Sequence, residues 1–165
     1  MPPSLTVPRN PRKKKKPPKP GISPSLVARL LGGRKKGYNY HTILYWVREG
    51  IAQASIQYTG KHWAPVLFSV ADAVEIAVIR ALRKKKVPLE IIHKALEIIR
   101  SEGGQRLGSS LCLCVAGGDV KVVVGNDITH AATANGSSHF VNVGHFRVEI
   151  EAEARRRNIK LPGKE

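Results

Sequence analysis

The chain has 165 residues, enough for one ordinary domain or two small ones, and its 28 basic against 12 acidic residues leave a net charge of +16. That surplus favours a polyanionic partner, nucleic acid first and an anionic membrane surface second. Two cysteines, Cys112 and Cys114, exclude a disulfide framework; no apolar run approaches the ~20 residues that span a bilayer, and the basic N-terminus lacks the apolar stretch of a secretory signal.

The charge is unevenly placed. Residues 1–20 hold seven basic side chains and no acid, and residues 21–67 hold six against one. Residues 1–21, with seven prolines around Lys13 to Lys16, have almost nothing apolar to bury and are expected to form a disordered basic arm. Such an arm strengthens nucleic-acid binding by counterion release without reading sequence; a solubilising tail is the competing reading.

Ser23 or Ser25 is placed to start a helix over 24–31, with Leu26, Val27, Leu30 and Leu31 on one face and Gly32-Gly33 as its stop. The loop that follows, GGRKKGY, offers Arg34, Lys35 and Lys36 to phosphates, or simply to solvent. Next comes NYHTILYWVREGI, residues 39–51. Ile43, Trp46, Val47 and Gly50 fall at i, i+3, i+4 and i+7, the spacing of one helix face that docks on neighbours. Tyr40, His41, Thr42, Tyr45 and Arg48 then project from the other face, as hydrogen-bonding groups suited to phosphates and base edges. Asn39 is the expected N-cap and Gly50 the stop.

Ile56 to Tyr58, a turn at Thr59 to Lys61, and Trp63 to Phe68 read as a hairpin, with Gln57, Lys61 and His62 as further contact candidates. A lone histidine at a turn is better read as polar surface than as a metal ligand. Ser69-x-x-Asp72 is a capping-box signature, with Phe68 before it as a staple. Val70, Val74, Ala77, Val78, Ala81 and Leu82 keep helical period up to the basic stop Arg83 to Lys86. Pro88 suits the first turn of a second helix, in which Leu89, Ile92, Leu96 and Ile99 share a face.

After a linker at 102–110 the period changes. Leu111 to Val115, Lys121 to Val124 and His139 to Val143 read as strands between glycine turns, and Val148 to Arg157 as a short strand followed by a terminal helix. The expected organisation is thus an arm at 1–21, a helical unit at 22–101, a β-rich module at 111–157 and a tail at 158–165.

The stretch 39–51 resembles the second helix of MerR-type winged helix-turn-helix domains at Asn39, Thr42, Ile43, Tyr45, Trp46, Gly50 and Ile51, with Leu44 and Val47 standing where that family has an arginine and a glutamate. Its loop at 32–38 is also longer than the family's tight turn, and the long coiled-coil helix that dimerises typical members is absent. LFSVADAVEIAVIRALRKKKVPLEIIHKALEII, residues 67–99, resembles the block that follows the wing in those domains, and more closely the form found in predicted antitoxins of VapBC-like toxin–antitoxin pairs. The resemblance covers about residues 22–101. It implies an α+β chain, a MerR-like winged helix-turn-helix followed by a small β-rich C-terminal module. It further implies a regulator of transcription that binds double-stranded DNA, nucleoid-associated in the cytoplasm, with an antitoxin-like autoregulator ahead of a regulator responding to a ligand or metal. A homodimer, and a toxin held by the C-terminal module, are the candidate protein partners.

Cys112 and Cys114, two apart, would point the same way on a strand and could share a soft metal with His130, His139 or His145. Their apolar neighbours Leu111, Leu113 and Val115 favour a buried role, so no metal or other cofactor is expected. No nucleophile-base pair, phosphate loop or paired carboxylates suggest an enzyme. An RNA- or ribosome-associated basic protein is the alternative that the charge alone allows.

Overall fold

The computed structural model describes residues 21–32, 39–57, 65–101, 111–116, 118–124 and 139–162. Helices precede a small sheet and one helix closes the chain, an α+β arrangement. The four N-terminal helices are α1 (Pro24–Leu30), α2 (Tyr40–Arg48), α3 (Val70–Lys84) and α4 (Leu89–Ser101).

Their starts follow the capping chemistry. Ser23 accepts from the Leu26 N–H at 3.3 Å, with Pro24 in the first turn where a missing N–H costs nothing. Asn39 accepts from the His41 N–H at 3.2 Å, and the capping box of α3 closes from both sides, Asp72 N–H to Ser69 Oγ at 3.1 Å and Ser69 N–H to Asp72 Oδ2 at 2.8 Å. The ends of α2 and α3 share one motif. After α2, Ile51 N–H donates to the Trp46 carbonyl and Gly50 N–H to the Val47 carbonyl, with Gly50 at φ +71°; α3 ends the same way through Val87 and Lys86.

Three strands follow: β1 (Leu111–Ala116), β2 (Asp119–Val124) and β3 (His139–Asn142), antiparallel in the order β2-β1-β3. β3 then runs straight into α5 (Val143–Arg156). Two expectations are corrected here. The third strand stops at Asn142 rather than Val143, because Asn142 caps the new helix by accepting from the His145 N–H at 2.9 Å. Residues 148–157 hold no strand: Val143, Phe146, Ile150 and Ala154 lie three or four apart on the inward side of one helix, and Arg147 reaches Glu151 at 3.1 Å.

One hydrophobic cluster runs through the described residues, from Ile22 and Val27 through Ile43, Ile76, Ile79 and Leu82 to Leu113, Val141 and Ile150. Helix α3 lies at its centre, packing against α4, α5 and β3. In α4 the expected Ile92, Leu96 and Ile99 are buried, whereas Leu89 is exposed because core contact begins one turn in, at Ile92. Two short bridges sew the chain together beneath α2. Ile22 pairs with Phe68 and Gln57 with Leu67, and a Cβ on Gly21 would lie 2.8 Å from Leu67 Cβ, so only glycine allows that approach. Among the described residues no helix is long and apolar enough to cross a membrane.

Candidate nucleic-acid interface

Helix α2 divides as its spacing requires at every position but Gly50, which lies past the helix end and is exposed. Ile43, Trp46 and Val47 are buried, Tyr40, His41, Tyr45 and Arg48 are exposed, and Thr42 is half-buried. His41, Tyr45 and Arg48 stand at i, i+4 and i+7, a stripe about 10 Å long, near the rise of three base pairs. Tyr45 is 53% exposed, an unusual solvent exposure for a large aromatic ring, and the Tyr40 and His41 rings sit 4.0 Å apart. Together with Tyr40 the exposed face therefore offers two phenols, an imidazole and a guanidinium, with the exposed Glu49 following Arg48 at the helix end.

The helix carrying this stripe is held from three sides. Its apolar face packs on α1. The Arg80 guanidinium of α3 donates to the Leu31 carbonyl and so fixes the end of α1. Asp72 fixes the chain leaving α2: one carboxylate oxygen accepts from Ser55 N–H at 2.9 Å, Ser55 Oγ at 2.7 Å and Ser69 N–H at 2.8 Å. Three donors and the positive end of α3 compensate the burial of this charge. A second buried carboxylate, Glu75, accepts from Arg100 of α4 in a two-pronged pair at 3.1 and 2.7 Å, and this hydrogen bonding to Glu75 holds the Arg100 pKa above its ordinary value despite partial burial. The helices behind α2 are thus tied by polar contacts as well as by apolar packing.

Of the remaining candidates, Gln57 is half-buried, and its backbone bridge to Leu67 brings together the two flanks of the expected hairpin. Arg34, Lys35, Lys36, Lys61 and His62 lie outside the described residues, as does the arm.

One basic group escaped the sequence reading, which took Arg83 to Lys86 only as a helix stop. All four side chains are exposed at the end of α3. Lys86 has φ +60°, the left-handed region, in the position occupied by Gly32 after α1, Gly50 after α2 and Asn158 after α5. A lysine there accepts backbone strain that glycine would avoid. The available signal was a break between two helices carrying four consecutive cations and no glycine.

The sheet register separates the donors considered for a metal. Residues directly opposite share a face, so Cys112 lies with Asn142 and Cys114 with Phe140, while His139 lies opposite Val115 on the other face. His145 is exposed on α5 beside Glu149 at 3.1 Å, and His130 lies outside the described residues. Both thiols are buried, and burial pushes the Cys112 thiol pKa up, away from the thiolate that metals bind. Among the described residues no three such groups converge. No protein-family model matches the chain, and no curated protein matches it.

Proposed function

We propose that this protein binds double-stranded DNA with sequence preference and regulates transcription. Helix α2 enters the major groove, His41, Tyr45 and Arg48 face base edges and phosphates, and the hairpin after Gln57 follows the backbone. The basic arm, the loop with Arg34, Lys35 and Lys36, and the Arg83 to Lys86 turn hold phosphates. The observation that carries this reading is the two-faced helix: an exposed stripe of tyrosine, histidine and arginine on a helix anchored by Trp46, in a chain of net charge +16. The resemblance of residues 67–99 to antitoxin domains supports autoregulation as the form of that control.

Selection from a random duplex DNA pool at roughly physiological salt tests it, with Tyr45→Ala and Arg48→Ala run beside the unaltered chain. A motif enriched by the parent and lost in both variants supports the reading, and a match upstream of the protein's own coding sequence supports autoregulation. Binding that enriches nothing and vanishes as salt rises, indifferent to both substitutions, would overturn it and favour RNA or protein partners.

A further inference from the structure

A groove of about 550 Å³ opens between the start of α3 and α5, with no residue of α2 in its lining. Its size suits a small molecule rather than a folded partner. One wall is apolar, formed by Ile56 and Val70 and by Leu161 beyond α5. The rim carries Arg147, Glu151 and Arg155, two cations for one anion. Glu151 is 3.1 Å from Arg147 but only within 3.9 Å of Arg155, whose side chain is 79% exposed. Neighbouring Arg156 and Arg157 are instead engaged by Glu153. The Arg155 guanidinium is thus the loosely held member, with its fork of donors available to a pair of oxyanion oxygens.

We propose that this groove binds a small apolar anion, its hydrocarbon or aromatic body on the Ile56, Val70 and Leu161 wall and its carboxylate or sulfonate head group on Arg155, assisted by Arg147. Such a ligand lies one residue from Ser55, which Asp72 holds at the exit from α2. Occupancy would therefore reach the DNA-reading helix through that clamp, a consequence that rests on the proposed function; the binding site does not.

The test is a fluorescence titration of the full chain with 8-anilinonaphthalene-1-sulfonate and with N-phenyl-1-naphthylamine, which has the same aromatic body without the anion. Saturable binding at one site is expected, with the anion preferred by about tenfold or more, the worth of one charge-assisted hydrogen bond. The double change Arg147→Gln with Arg155→Gln should erase that preference while leaving the neutral probe bound. Ala71→Trp, an exposed position on the groove wall, should abolish binding of both probes without lowering the unfolding temperature. Equal binding of the two probes by the parent chain would overturn the proposal, as would a preference surviving the double change or binding undiminished by Ala71→Trp. DNA binding measured on the same samples keeps a failed groove distinct from a failed DNA reading.

Discussion

Lys86 is a residue at which stability and a proposed contact pull in opposite directions. Its φ of +60° closes α3 through hydrogen bonds from Lys86 N–H to the Arg83 carbonyl and from Val87 N–H to the Leu82 carbonyl, a job that glycine does without steric cost. Lys86→Gly should therefore raise stability, by about 1 kcal/mol and a thermal midpoint a few degrees higher. If Lys86 meets a phosphate, the same change lowers the slope of log affinity against log salt by about 0.9. A change that stabilised the chain and left the salt slope untouched would remove this turn from the interface. Asp72 makes the opposite case. Three donors converge on one of its oxygens, so Asp72→Ala should cost about 3 kcal/mol in denaturant unfolding, combining the lost cap with buried N–H groups left unpaired. Ser55→Ala, which removes only the hydroxyl donor, should cost about 1 kcal/mol. Equal losses would show that the carboxylate acts through the Ser55 hydroxyl alone.

At the scale of elements, the starts of helices were more legible than the links between them. Ser23, Asn39, Ser69 and Asp72 announce α1, α2 and α3 because a cap is a local contact between residues two or three apart. The third contact of Asp72, to Ser55, spans seventeen residues and has no local signature. The Glu75–Arg100 pair was hidden for the same reason: it joins α3 to α4 across the bundle. The terminal helix expected within Val148 to Arg157 is present, but the short strand before it is not: Val148 to Ile150 alternates apolar with charged residues, as a strand does, while the deciding features are the Asn142 cap and the contact of Ile150 and Ala154 with the core. Its last turn is also charge-stapled. Hydrogen bonds from Arg156 and Arg157 hold the Glu153 carboxyl well below the usual carboxylate range, at a pKa of about 2. The pKa is depressed in the folded chain, so the pair's contribution is complete above the ordinary value near 4.5 and fades as the pH falls from there towards 2. A carboxyl-carbon NMR titration should accordingly give Glu153 a midpoint below those of other glutamates. A midpoint in the ordinary range would mean that the two arginines do not hold it in solution.

At the scale of the whole molecule, one hydrophobic cluster among the described residues draws side chains from both stretches that the sequence reading sets apart. The reading of 22–101 and 111–157 as separate stretches followed from the change of period and the glycine-rich interval between them, which are real features of the chain. Periodicity shows that each stretch has an apolar face; it does not show which faces meet. In the folded chain Leu111, Leu113 and Val115 from β1 and Ile150 and Ala154 from α5 belong to the same cluster as Ile43 and Val47 from α2. Continuity of this kind predicts cooperative unfolding. Ile150 is 1% exposed, so Ile150→Ala should cost about 2–5 kcal/mol through lost burial and the void left behind. The loss should be felt at α2, although α2 is far from the substitution along the chain. Trp46 is buried there and, in a Trp63→Phe background, is the single indole reporter. Fluorescence of Trp46 and far-ultraviolet circular dichroism should then shift together, in one transition, to lower denaturant concentration. Trp46 unfolding at its original midpoint while part of the dichroism is lost earlier would show that the helical unit stands without α5, as two separate units would.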